Sequence, residues 1–192
     1  MVAKAVSGLG SIDVLVNNAA LFDADGASGN RRIQHRIDEA TIDEWRSAWR
    51  RTVDVNLLGT TEVTWHVVRH MLDSGIRGRI VSVGSRGAYR GEPDVPAYGA
   101  TKAAVHSMTQ SLAVRLAPHG IAVSAVAPGF VRTDMTSDLL DSEAGKTIVA
   151  QSPFGRVASP DEIAAAVLYL ASAEAEWASG AILDLNGASY LR

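Results

Sequence analysis

Tyr98 and Lys102 stand four residues apart in Ala97-Tyr98-Gly99-Ala100-Thr101-Lys102, in a chain with three lysines, fifteen arginines and four tyrosines. If that composition were shuffled, some tyrosine would be followed by a lysine at this distance in only about 6% of cases, so the pair carries weight as a motif. In a helix the spacing puts phenol and ammonium on one face. A neighbouring ammonium favours phenolate and lowers a pKa that is otherwise about 10. That makes Tyr98 a candidate acid/base near neutral pH. A surface tyrosine beside a solvated lysine fits the same two residues, so the surrounding segments must decide.

The elements that would position the pair follow from apolar patterning. Four short, Val/Ile-rich runs, Ile12–Asn17, Arg79–Val83, Ala122–Val126 and Ala181–Asp184, read as strands covered on both faces. Thr41 with Glu44 three residues on predicts a capping box opening a helix to about Asp73, punctuated by Gly75 and Gly78. A second helix is predicted from Ala97 to Leu116. A third begins at Ser159-Pro160-Asp161-Glu162, with serine as cap and proline in the first turn, and runs to about Ala173. Strands alternating with helices imply βαβ units and a parallel sheet.

Ligands in such sheets sit beyond the carboxyl ends of the strands. Three polar segments fall there: Asn17-Asn18-Ala19-Ala20, Val83-Gly84-Ser85, and Pro128-Gly129-Phe130-Val131-Arg132-Thr133. Asn56 lies inside the first long helix, where asparagine is a poor helix former. His66 and His70 share the i, i+4 spacing of a metal pair, but no third ligand accompanies them, and no metal site is assigned. Arg31, Arg32 and Arg36 fall in a polar insert, residues 22–40, that reads as a solvated face or as a contact for an acidic substrate.

Composition narrows the class. The chain has 192 residues, 47% of them apolar and 20% charged, with a net charge of −3 and no cysteine. That suits one globular domain over residues 1–192 and excludes disulfides, thiolate metal sites and a cysteine nucleophile. The charge balance offers nothing to nucleic acid or an anionic membrane. With no long apolar run and no signal-like start, a cytoplasmic protein is expected.

Together these segments resemble the short-chain dehydrogenase/reductases, nearest the 3-oxoacyl-[acyl-carrier-protein] reductase-like branch. Asn17-Asn18-Ala19-Ala20 is similar to the family's Asn-Asn-Ala-Gly element, with Ala20 in the glycine position. Asn56, Ser85, Tyr98 and Lys102 match its catalytic asparagine, serine, tyrosine and lysine. Pro128, Gly129 and Thr133 match its Pro-Gly loop, and Leu185-Asn186-Gly187 its ending. The resemblance implies a Rossmann-like doubly wound α/β fold and an NAD(P)-dependent enzyme that interconverts a carbonyl and a secondary alcohol.

It also implies roles. Ser85 would hold the substrate oxygen beside Tyr98, which would exchange the proton. Lys102 would bind the nicotinamide ribose and, with the oxidised ring, depress the phenol pKa. Asn56, at a helix irregularity, would hold a water leading from Lys102 to solvent. Thr133 and the Val131 backbone would hold the carboxamide; Asn18 and Ala19 would line the adenosine ribose. A dimer or tetramer is expected.

Against the family's seven strands, in order 3-2-1-4-5-6-7, four are visible here, as 4-5-6-7. The run Ile12–Asn17 should therefore be a sheet edge. The glycine-rich pyrophosphate turn and the residue that distinguishes NAD from NADP are not found. Three accounts are open: a start about 70 residues late, equivalent to two βαβ units; a non-catalytic assembly or regulatory subunit; or an enzyme whose cofactor site is reduced or completed by a partner.

Overall fold

The computed structural model describes residues 1–22, 35–133 and 136–192. Its four strands are β1 (Val14–Asn17), β2 (Arg79–Val83), β3 (Ala122–Pro128) and β4 (Ile182–Leu185). They pair in parallel in the order β1-β2-β3-β4. The register sets Leu15 beside Ile80, Ile80 beside Val123, and Val126 beside Leu183. Parallel strands need crossovers, and each crossover here contains helix.

Burial follows position in the sheet. Every residue of β3 is buried, as are four of the five in β2. In β1, Val14 and Val16 are 43% and 42% exposed, as expected of a sheet edge with no described neighbour. Residues 12 and 13, expected in this strand, precede it.

The strands' alternation feeds two cores. On one face Ile80 and Val123 meet Val67 and Met71 of α3 (Thr60–Asp73), and Ala113 and Leu116 of α5 (Pro96–Leu116). Val2 of α1 (Val2–Leu9) packs against the same cluster. On the other face Val81 and Val126 meet Leu170 of α8 (Pro160–Leu170), with Ile163 and Val167 against them. Helices cover both faces, the doubly wound arrangement expected from the alternating pattern. Among the described residues no helix is long and apolar enough to cross a membrane.

The predicted capping box at Thr41 forms, and the predicted serine cap at Ser159 proves to be a second one. Thr41 Oγ1 accepts from the Glu44 N–H while the Glu44 carboxylate accepts from the Thr41 N–H, opening α2 (Ile42–Val53). Ser159 and Glu162 do the same for α8, whose Pro160 occupies the first turn. That helix stops at Leu170 rather than near Ala173; a 3₁₀ stretch, Ala173–Ala178, follows.

The helix expected over 41–73 is interrupted. α2 and α3 are joined by a π-helical segment, Asp54–Gly59, which contains Asn56. The wider turn releases the Asn56 carbonyl from the regular ladder, and it accepts from Thr60 Oγ1 at 3.0 Å.

Two short elements finish the frame near the strand ends, α4 (Gly87–Arg90) and α7 (Glu143–Ala150), with α6 (Ser137–Leu140) before the latter. Gly84 lets β2 pass directly into α4. A Cβ there would lie 1.9 Å from His106 Nε2 and 2.9 Å from the Val126 carbonyl oxygen. The histidine is buried and the carbonyl is backbone, so neither can yield cheaply. Gly84→Ala is expected to destabilise the fold by about 1–3 kcal/mol, read as a lower urea midpoint with an unchanged m-value.

Candidate active site

The site is assembled at the carboxyl ends of β1, β2 and β3. Ser85 follows β2 directly and is 8% exposed. Its Oγ accepts the Gly87 N–H at 3.0 Å, which fixes the hydroxyl. The same hydroxyl acts on the Tyr98 phenol, favouring its ionised form, and both residues line one cleft. Tyr98 lies in the first turn of α5, partly open to a cleft of about 690 Å³, and Phe22 packs edge-on against its ring at 4.9 Å.

Lys102 sits one turn further, 4% exposed, with Nζ donating to the Val83 carbonyl at 2.7 Å. The ammonium lies 5.6 Å from the Tyr98 ring centroid. Helical spacing therefore brings phenol and ammonium to one face, as predicted, and the strand end supplies the serine.

The expected electrostatics are reversed in the protein alone. Burial pushes the Tyr98 phenol up to about 12, a rise that the nearby Ser85 hydroxyl only partly offsets. Lys102 contributes no resolved lowering. Its own ammonium, taken from water and held by one carbonyl, is pushed down to about 8. Desolvation outweighs the pairwise attraction because both groups lose solvent together. At neutral pH Tyr98 is thus a proton-bearing phenol beside a charged lysine.

Asn56, 2% exposed, does something more definite than sit at an irregularity. Its Oδ1 accepts the Leu21 N–H at 2.7 Å and its Nδ2 donates to the Leu21 carbonyl at 2.9 Å. Nδ2 also reaches Thr101 Oγ1 at 3.3 Å, and that hydroxyl donates to the Tyr98 carbonyl at 2.9 Å. The side chain pairs with the segment after β1 as a strand would and ties it to the helix of Tyr98.

The other predicted positions divide. Asn18, Pro128, Gly129, Val131 and Thr133 line the cleft with Ser85, Tyr98 and Lys102; Ala19 is exposed and does not, although Ala20 does. Gly129 is tight, since a Cβ would lie 3.1 Å from Asn186 Cα. His70 Nε2 accepts the Ile12 N–H at 3.3 Å, and His66 stacks edge-on with Trp65. No metal-ligating group of three occurs among the described residues. Arg36 pairs with Asp94 at 2.6 Å and Glu39 at 3.1 Å, so its charge is already answered; Arg31 and Arg32 lie outside the described residues.

Sequence reasoning missed Phe22, Glu92 and Arg86, all of which line the cleft. Arg86 had a signal in its adjacency to Ser85. It also missed His35, whose Nε2 accepts the Ala97 N–H at 3.2 Å and so caps the helix that carries Tyr98.

The donor set suits the nicotinamide half of a dinucleotide. Lys102 has ammonium protons beyond the one given to Val83, and Thr133 and Asn18 offer a hydroxyl and an amide along the same cleft. No described strand leads into a glycine-rich turn at a long helix N-terminus, so the described residues present no pyrophosphate cradle of that kind.

A doubly wound sheet carrying a serine, tyrosine and lysine at its strand ends defines an oxidoreductase-type site, and the comparisons agree. The model of a family described as Enoyl-(Acyl carrier protein) reductase matches residues 1–187. The cis-4-hydroxycyclohexanecarboxylate dehydrogenase of Sinomonas cyclohexanicum is 37% identical over 96% of this chain and 68% of its own length. The 3-oxoacyl-[acyl-carrier-protein] reductase of Vibrio cholerae is 36% identical over 99% and 72%. Among solved structures, a 3-ketoacyl-(acyl-carrier-protein) reductase from Brucella melitensis complexed with NADH superposes with a TM-score of 0.82 at 30% identity, covering 99% of this chain and 72% of that one. ElxO with NADP bound reaches the same score at 28% identity, covering 98% and 71%.

The chain belongs to the short-chain dehydrogenase/reductase family. Within it, the protein is 3-oxoacyl-[acyl-carrier-protein] reductase-like.

The buried ammonium should weigh on stability. Below pH 8 both folded and unfolded chains carry the lysine proton; between about 8 and 10.5 only the unfolded chain does. A base with a depressed folded pKa costs the fold most below the folded value, and the cost fades as pH rises toward the unfolded one. Lys102→Met is expected to raise stability at pH 7 by about 1–2 kcal/mol, the gain being trimmed by the stranded Val83 carbonyl. The gain should shrink as denaturation is repeated toward pH 10.5.

Proposed function

We propose that this protein is an NAD(P)-dependent oxidoreductase that interconverts a carbonyl and a secondary alcohol, with Ser85, Tyr98 and Lys102 at the reacting oxygen and Asn56 holding the site together. The observation that carries this reading is the convergence of Ser85, Tyr98 and the buried Lys102 ammonium on one large cleft, with the Lys102 Nζ 5.6 Å from the Tyr98 ring centroid. The relatives' names support it: one is a hydroxy-acid dehydrogenase, another a ketoacyl reductase solved with NADH.

Lys102 would hold the nicotinamide ribose, Thr133 and the Val131 backbone the carboxamide, Pro128 and Gly129 the ring's approach, and Asn18 the far ribose. Bound there, the cofactor supplies or accepts the hydride.

The protein handles the proton. Ser85, its acceptor lone pair occupied by the Gly87 N–H, directs its own O–H at the substrate oxygen. Tyr98, protonated because burial raises it, donates to that oxygen as negative charge develops. Lys102 stabilises the phenolate left behind, an electrostatic role that strengthens in a dry site. In the reverse direction phenolate must form first, which its high pKa opposes at neutral pH.

A homo-oligomer in the cytoplasm is part of this proposal. Trp177 is fully exposed and Leu168 and Leu191 are 73% and 80% exposed, more apolar surface near β4 and α8 than a lone chain covers. The exposed β1 edge is the feature an assembly subunit without catalysis would use. Saturable micromolar quenching of the four tryptophans by NADPH or NADH is expected, and its absence would favour that second reading.

Tyr98→Phe is expected to lower turnover at least about a thousandfold with cofactor affinity close to unchanged, measured by initial rates and fluorescence titration. Retained turnover would remove Tyr98 from the mechanism. Carbonyl reduction should be flat through neutral pH and decline above about 8, where Lys102 loses its charge, while alcohol oxidation should be slow at neutral pH.

A further inference from the structure

Arg86 follows Ser85 and is 4% exposed. It lines the active cleft and also a second cavity of about 310 Å³, bounded by Ile148 of α7, the segment 152–158 and the chain's last turn. Its Nη2 donates to Gln151 Oε1 at 2.7 Å, and Arg90 Nη1 donates to the same oxygen at 3.0 Å. Arg86 Nη1 reaches Ser189 Oγ, and the guanidinium lies 5.1 Å from the Phe130 ring centroid.

Two cations therefore converge on one neutral amide oxygen. Neither forms an ion pair among the described residues. The contrast is with Arg79, equally buried at 8%, which has Glu176 at 3.1 Å. The Glu92 carboxylate, in the same cleft, acts on both Arg86 and Arg90 through space without bonding to either.

A desolvated guanidinium normally has a carboxylate or phosphate on its fork. Its Nε and further N–H groups have no described partner here, and Gln151 Oε1 occupies the place of one anionic oxygen. Because Arg86 lines the active cleft together with Ser85 and Tyr98, an anion held there can belong to the molecule whose oxygen Ser85 holds.

We propose that Arg86 and Arg90 form a carboxylate-binding subsite, so that the substrate is a small hydroxy or oxo acid whose carboxylate enters the second cavity while its reacting oxygen lies at Ser85 and Tyr98. The substrate assignment rests on the function proposed above; the anion site itself stands on the arginine geometry alone.

The test is binding, read by isothermal titration and thermal shift on the purified protein, with cyclohexanecarboxylate as probe and cyclohexanecarboxamide as its neutral counterpart. The carboxylate should bind saturably and the carboxamide at least about tenfold more weakly. Arg86→Gln should weaken the carboxylate by about thirtyfold or more. Arg90→Gln, at an exposed position, should weaken it about two- to fivefold.

If Arg86→Gln does not fold, Gln151→Glu decides the matter. Its carboxylate would satisfy both guanidiniums, raising the melting midpoint and abolishing probe binding. Equal binding of the two probes, no saturable carboxylate binding, or a Gln151→Glu variant that melts lower and still binds overturns the proposal. Tyr98→Phe should keep full carboxylate binding, so failure of the catalytic reading and failure of the anion site give different results.

Discussion

The Lys102 ammonium is removed from water and held by the Val83 carbonyl at 2.7 Å, and the arrangement of the site depends on that bond. It joins the helix that carries Tyr98 to the strand whose end carries Ser85. A buried charge with a single neutral partner is costly, and the surrounding fold must hold it. β2 and β3 do so by being buried through nearly their whole length, and α5 by burying nine residues, Lys102 among them. Phenol and serine are then brought to one cleft by two elements that cannot drift apart without exposing both cores.

Two smaller devices set the angle of that helix. The His35 imidazole satisfies the Ala97 N–H, one of the amides a helix start leaves unpaired. Asn56, from the π-helical turn, pairs with both backbone groups of Leu21 and with Thr101. Each spends a buried polar side chain to position backbone, which explains why two otherwise unfavourable residues lie in the interior. The arginines follow the same logic of satisfaction. Arg36, Arg79 and Arg156 each have a carboxylate, and against that background Arg86 and Arg90, sharing an amide oxygen, stand apart.

The strands were readable because they are continuous apolar runs, and their order through the family resemblance, which implies 4-5-6-7 and matches the observed β1-β2-β3-β4. Thr41, Glu44, Ser159 and Glu162 were readable because capping is local, needing only three residues of separation. The π turn was expected only through the family resemblance, as an irregularity at Asn56, and not from the helix pattern, since it depends on what the Asn56 side chain can reach, and those partners, Leu21 and Thr101, are distant in the chain. The end of α8 was misplaced for a related reason. Nothing within Leu170–Ala173 forbids another turn; packing of Ala175 against the sheet does.

The sequence by itself determined the fold class and the family, and it singled out Ser85, Tyr98 and Lys102, which the fold brings to one cleft, because these depend on residue type at fixed spacing along one helix and one strand end. The protonation balance was decided only by the tertiary structure. Four-residue spacing suggested an ammonium lowering a phenol, whereas the folded site raises the phenol to about 12 and lowers the lysine to about 8. Desolvation is set by everything packed around a group, from Phe22 to Val83, and no spacing rule carries that information. The same holds for Arg86: its neighbour in sequence pointed to the site, but only the fold shows that two guanidiniums meet there on one amide oxygen, with no ion pair to either among the described residues.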